Sequence, residues 1–305
     1  MNTQSNATAP SLGVQSVAPS DTPALRQFYS LVQREIWENR FVYIAPLAAA
    51  GLFLLGFVIS LVFLPGRLRS AAGSAELHNV INRPFDIIAV LIMGVTFLVA
   101  LLYCLDALYS ERRDRSILFW KSLPVSDTAT VLSKASIPIV VVPLLAFALT
   151  VAAQLAMFVL SIAVTRGSGV TVGMFGSELS LFHRWHVLFV HLVTGHGLWY
   201  APIYAYFLLI SAWARRAPFL WATLPMLAVG GAEKLAFNTS YLEAILGVRI
   251  AGGPSIESHA GMNMDAMTPF TLIQSLSSPG LWLGLLVAAA FLAGAIRLRR
   301  HRGPI

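Results

Sequence analysis

Four histidines crowd one apolar stretch: His183, His186, His191 and His196, spaced three, five and five residues apart. Imidazole is a common metal ligand and proton carrier. However, no His-Glu-x-x-His pair accompanies the run. At helical periodicity the spacings do not bring all four rings onto one face. A metal centre built on them is the weaker reading, and His183 and His186 read as interfacial. His196 stands apart. It lies about ten residues into an apolar run, ~15 Å deep at helical rise. Gly195 and Gly197 flank it and Pro202 follows. Ionisable groups at such depth are costly and often functional, and Gly and Pro can mark a broken helix at a transport site. The alternative is a hydrogen-bonded packing histidine.

Two further groups invite chemistry. Glu233 and Lys234 close an apolar run and would either line a vestibule or form a local ion pair. The stretch "HAGMNMDAM" carries His259, Met262, Met264 and Met267. Thioethers are soft ligands that suit Cu(I); otherwise the segment is a loop packed on the surface. No Gly-Lys pair occurs anywhere in the chain, so a Gly-x-x-x-x-Gly-Lys-Ser/Thr phosphate loop is excluded. Any ATP hydrolysis must reside in another polypeptide.

The elements that must position these residues follow from composition. The 305 residues are 57% hydrophobic and 11% charged, against about 25% charged in soluble domains. Runs of 18 or more apolar residues cross a hydrocarbon core of about 30 Å. Six candidates satisfy this: Phe41–Leu64, Ile87–Tyr109, Ser136–Thr165, Val187–Ala214, Ala217–Phe237 and Gly280–Leu298. The expectation is an all-α polytopic membrane protein with six transmembrane helices spanning 41–298.

Ahead of them, residues 1–22 read as a disordered tail without a signal-peptide core. Residues 23–40 read as an N-terminal amphipathic interfacial helix, with Leu25, Phe28, Val32 and Ile36 on one face. The segment 238–279 is a long outer loop with a short helix near Tyr241, and 299–305 is a basic tail. With the N-terminus inside, fourteen Lys and Arg fall on inner segments and seven on outer ones. Both termini are therefore expected in the cytoplasm. The net charge of +7 then meets lipid headgroups; nucleic acid is not an expected partner. The single Cys104 permits no disulfide. Gly284 with Ala288, and Ala290 with Gly294, have the small-xxx-small spacing of close helix packing.

Between the second and third spans runs "SERRDRSILFWKSLPVSDTATVLSK", residues 110–134. Glu111, Arg112, Arg113, Asp114 and Arg115 precede Phe119, Trp120, Leu123 and Pro124. The expectation is a short helix over 111–123, stopped at Pro124, with Ser126 or Asp127 capping the next helix. Aromatics and Arg are frequent interface anchors, so this hook reads as a partner surface. The alternative seats its aromatics in the membrane interface.

The hook resembles the loop after the second span in permeases of type-two ABC exporters. Glu111, Leu123, Pro124, Val125, Ser126 and Lys134 carry the likeness, and "SAWARRAPFLWATLP" at Ser211–Pro225 looks like a bacterial subgroup of that family. Many relatives have Gly where Ser133 stands. The resemblance implies a non-enzymatic permease subunit in the bacterial inner membrane. It implies pairing with a second permease subunit, and a cytoplasmic ATPase carrying ATP and Mg that docks on the hook. This chain itself would need no cofactor. The rivals are an intramembrane histidine or metal enzyme and a membrane anchor that recruits a cytoplasmic partner.

Overall fold

In hydrocarbon a backbone must satisfy its own hydrogen bonds, so long apolar runs become helices. The computed structural model describes residues 24–70, 74–122, 125–165, 180–250 and 276–302. Among these every regular element is helical. The expected tail at 1–22, Leu123, Pro124 and the Met262, Met264 and Met267 loop lie outside the described residues.

Helix α1 (Ala24–Glu38) leads in, with Leu31 and Glu35 buried and Leu25, Tyr29 and Trp37 exposed. Helix α2 (Phe41–Leu61) follows, then α3 (Leu64–Ser70) and the 33-residue α4 (Ser74–Asp106). The hook contains α5 (Tyr109–Arg113) and α6 (Ser116–Ser122). Helix α7 (Asp127–Ser136) runs through the π-helical segment π1 (Ile137–Val141) into α8 (Val142–Thr165). Then come α9 (Leu181–His191), a second π segment π2 (Leu192–Trp199) and α10 (Ala201–Trp213). Helices α11 (Pro218–Phe237), α12 (Tyr241–Ile250) and α13 (Pro279–His301) complete the described chain.

Four continuous stretches are long and apolar enough to cross a membrane: Phe41–Leu61, Asn79–Arg113, Asp127–Thr165 and Pro279–His301. They coincide with the first, second, third and sixth expected spans. The span expected over 187–214 is not one regular α-helix, in keeping with the Gly and Pro residues around His196. Pro202 has no N–H and its ring crowds the carbonyl four residues back. The chain widens before it: the Tyr200 N–H reaches Gly195 O, five residues back, at 3.1 Å. The same cause acts in π1, which contains Pro138 and is followed by Pro143; the Val142 N–H bonds Ile137 O, again five residues back.

Two apolar cores form. One, nearer the hook, joins Val99, Tyr103 and Cys104 of α4 to Val131, Val142, Tyr204, Leu208 and Ala295. The other, at the remote end, joins Phe57, Ile88, Ile92, Ala146, Met157 and Leu188. Ala201, Ala205 and Ala288 let α10 and α13 approach closely, and Gly294 packs beneath Leu209. This small-residue seam is how helices associate where lipid removes the hydrophobic incentive.

The two π segments also touch. A Cβ added at Gly197 would lie 3.0 Å from Ile139 O, so π2 rests its backbone on the backbone of π1. Gly197→Val should therefore destabilise the protein by about 1–3 kcal/mol through overpacking. Gly51→Ala, whose new Cβ would meet nothing within 4 Å, should be neutral or better. Thermal unfolding in one detergent distinguishes the two, and equal melting temperatures would remove the close-packing argument.

Candidate functional site: the hook and the ion chain beneath it

The hook is not the single helix expected over 111–123. Glu111 and Ile117 are both buried, yet six residues apart on one α-helix they would point ~120° apart. The chain resolves this at Arg115, whose φ of 59° is left-handed. That conformation costs a non-glycine residue about 1–2 kcal/mol. It ends α5 and resets the face of α6. At the far side Ser126 caps α7 as expected, its Oγ accepting the Ala129 N–H at 3.1 Å.

The acidic and basic run divides in two. Arg113, Asp114 and Arg115 are exposed. Glu111 and Arg112, expected on a docking rim, point into the protein. Arg112 donates to Ala212 O at 2.7 Å and Ala214 O at 3.1 Å. It thereby covers the open C-terminal carbonyls of α10, where the helix dipole favours a cation. Ser211 Oγ accepts the N–H groups of Leu108 and Tyr109, stitching α10 to the root of the hook.

Glu111 belongs to a chain of buried charges. Glu35 Oε1 lies 2.8 Å from Lys134 Nζ, and Lys134 Nζ lies 3.1 Å from Glu111 Oε1. The second contact is an ion pair without hydrogen-bond alignment. Glu111 Oε2 pairs with Arg299, whose Nε reaches Asp127 Oδ1 at 3.1 Å. At the other end Tyr103 donates its hydroxyl to Glu35 Oε2 at 3.0 Å. Sign alternates at every step, so each inner member touches opposite charge on both sides. Lys134 was legible in the sequence as part of the hook pattern. Glu35 and Arg299 were not, because one sat within an amphipathic helix and the other in a basic tail.

The hook aromatics differ in setting. Phe119 and Leu118 are 58% and 57% exposed. Trp120 is half-buried, and the Arg34 guanidinium of α1 lies 3.2 Å from its ring centroid. Lys121 Nζ reaches the carbonyls of Arg300 and Arg302 at 3.4 and 3.3 Å. The hook is thus held by α1, α7, α10 and α13, and Leu118 and Phe119 form its free apolar face.

The remaining candidates fall elsewhere. His196 is buried in π2 among Phe97, Tyr200 and Tyr204, with ring centroids 6.1, 5.6 and 6.3 Å away. Its Nε2, the Tyr204 hydroxyl and the Trp199 indole N–H have no hydrogen-bond partner among the described residues. Glu233 forms no pair with Lys234. It accepts the N–H groups of Tyr241 and Leu242 and the Thr239 hydroxyl, so it caps α12 from outside that helix. Lys234 is exposed. Among the described residues no group of three or more His, Cys, Asp and Glu converges on a point where a metal could sit.

Sequence reasoning also missed two arginines. Arg184 is buried, its Nη1 2.6 Å from Asp86 Oδ1 and its Nη2 2.8 Å from Asn82 Oδ1. Arg249 of α12 stacks on Trp199 and donates to the carbonyls of Trp199 and Gly280. Both had counted only as basic residues of outer segments. No protein-family model, curated protein or solved structure matches this chain.

Lys134→Met leaves Glu35 and Glu111 buried without their shared cation. The expected cost is about 3–5 kcal/mol, read as a lowered unfolding midpoint in detergent. Because the pair is buried, the loss should change little between low and high salt. A Lys134→Met protein with the wild-type midpoint would show that the chain carries no stability.

Proposed function

We propose that this chain is the six-span permease subunit of an ATP-driven exporter of the type-two ABC class, working with a second permease subunit in a bacterial inner membrane. The observation that carries the reading is the hook. A short element with an exposed apolar tip is anchored by buried charges to helices from both ends of the chain. Such an element can receive a push and pass it on without absorbing it. In this reading α9, π2 and α10 together form the fourth span. Helix α11 forms the fifth, since its 20 residues cover ~30 Å. Both termini and the hook then lie in the cytoplasm, in line with the fourteen-to-seven split of Lys and Arg.

The ATPase would seat a groove over Leu118 and Phe119, with Arg113, Asp114 and Arg115 on the rim. Closure of the ATPase on nucleotide would displace α6. The displacement would travel through Glu111 to Lys134 and Arg299, hence to α7, α1 and α13 together. The site of adjustment is the middle of the bundle, where π1 and π2 meet and His196 sits. A membrane anchor would need the exposed tip but not the rigid connection beneath it.

Topology gives the first check. In a Cys104→Ala background, Ser240→Cys should label with an impermeant thiol reagent in intact cells, and Ser122→Cys should label only after lysis. External labelling at Ser122 would overturn the orientation. The second check is docking. Chain purified from its native membranes should carry vanadate-sensitive ATP hydrolysis. Phe119→Ala should weaken retention of that activity by about 2 kcal/mol of docking energy if it is an anchor. Trp120→Ala, already covered by Arg34, should cost less. Reversal of Arg113 should weaken retention mainly at low salt. A preparation without co-purifying ATPase activity, or one equally retained by all variants, would sink the exporter reading.

A further inference from the structure

At the end of the bundle remote from the hook, a cavity of about 510 Å³ opens between α2, α3, α4 and α8. Its size falls in the ~300–1,000 Å³ range of small-molecule sites. Phe53 and Phe57 of α2 and Ile81 and Phe85 of α4 supply its apolar walls. Arg67 of α3 and Arg83 of α4 also line it. Both arginines are exposed, and neither has a carboxylate partner among the described residues.

We propose that this groove binds one anionic membrane phospholipid, its acyl chain against the phenylalanines and its phosphate between Arg67 and Arg83. Charge complementarity selects the headgroup: two guanidiniums without a carboxylate partner among the described residues present forked donors that suit phosphate oxygens. The walls select a lipid over a free anion. A soluble phosphate would gain the two arginines but leave the aromatic walls uncovered, while an acyl chain covers them. The neighbouring face of α2 is itself built for hydrocarbon, with Leu52, Leu55 and Ile59 exposed. Gly56 lines the groove and is exposed, and a Cβ there would meet nothing within 4 Å. The groove thus has a thin wall toward the lipid-facing side, through which a chain can enter from the bilayer.

The position gives the site a structural consequence. Phe85 is shared between the groove and the knot at this end of the bundle, where Gln154 Nε2 donates to Phe85 O at 3.0 Å and Gln154 Oε1 accepts from Trp185 at 2.9 Å. A bound lipid therefore packs against the segment that ties α4 to α8 and α9. The inference rests on the membrane-embedded bundle and not on the exporter reading.

The test uses the full chain, stripped of lipid in detergent and then given dioleoyl phosphatidylglycerol, dioleoyl phosphatidylcholine or inorganic phosphate. Bound lipid is counted by native mass spectrometry. Wild type should retain phosphatidylglycerol over phosphatidylcholine. Arg67→Gln and Arg83→Gln should each cut that preference roughly fivefold, the factor per basic group expected near anionic lipid. Gly56→Trp should lower retention of both lipids by filling the chain's place, while leaving the charge unchanged. Phosphatidylglycerol should raise the melting temperature of wild type more than that of the double arginine variant. Arg67 is exposed and has no carboxylate partner among the described residues, so Arg67→Gln keeps the test readable if the other variants fold poorly. Equal retention of the two lipids by wild type, an unchanged preference in Arg67→Gln, or protection by inorganic phosphate equal to that by phosphatidylglycerol would overturn the proposal.

Discussion

Taking a charge out of water costs several kcal/mol even after the protein relaxes around it. This chain buries five at one end: Arg112 meets the carbonyls that end α10, and Glu35, Lys134, Glu111 and Arg299 lie in one row. The arrangement that makes this tolerable is alternation. Asp127, the least buried member, closes the row where water still reaches, with 22% of its side chain exposed. Tyr103 closes the opposite end with a neutral donor. Three carboxylates face two cations, so the row has one more acidic member than basic. Removing any inner member takes one opposite charge from each of two neighbours, which couples the members of the row. Its members come from α1, α5, α7 and α13, so the row also fixes where the first and last described helices sit.

The remote end uses the same device on a smaller scale. Arg184 joins α9 to Asp86 and Asn82 of α4, and Gln154 of α8 bridges Phe85 and Trp185. Between the two ends, the described helices touch through the two apolar cores, with small residues on the α10–α13 seam. That division follows from the solvent. Lipid offers helices no hydrophobic reason to associate, so polar knots at the ends and close van der Waals contact in the middle must carry the bundle. Exposed Leu, Ile and Val along α2 are the other half of the same logic, since α2 is one of the four helices long and apolar enough to cross a membrane.

Much of the helical plan was legible because its cause is local. Apolar runs predict Phe41–Leu61 and Pro279–His301 to within a few residues, and the Ser126 cap follows from one side chain three positions ahead of its donor. The break in the hook was not legible. It arises because Glu111 must meet Arg299, a residue 188 positions away, while Ile117 must also turn inward. The burial of Arg184 escaped for the same reason: its partners lie about 100 residues upstream. Charge counting treats every arginine as solvated, and an arginine whose carboxylate arrives from another helix breaks that assumption. Trp120 was read as a free aromatic because Arg34, which covers it, lies in a different element. The π segments left a partial signal in Pro138, Pro143, Pro202 and the glycines beside His196, which marked a disturbed helix without specifying its form.

The locked ends determine where the bundle can yield. Helix α7 carries Asp127 and Lys134, both in the buried row, and runs without a break into π1. Any displacement of that row therefore reaches π1 directly. π-Helical turns bond five residues back, with geometry poorer than that of the surrounding α-helix, and they frequently mark functional sites. Here π1 abuts π2 at Gly197, where backbone meets backbone and no side chain intervenes. A shift in π1 must then be felt at π2, which holds His196. The polar atoms beside that contact, His196 Nε2 and the Tyr204 hydroxyl, have no partner among the described residues. Unpaired buried groups lower the stability of the arrangement that holds them, so a packing in which His196 and Tyr204 find partners would be favoured by that term. In the exporter reading proposed above, the tied end at the hook would deliver a displacement and the π1–π2 contact in the middle would respond to it.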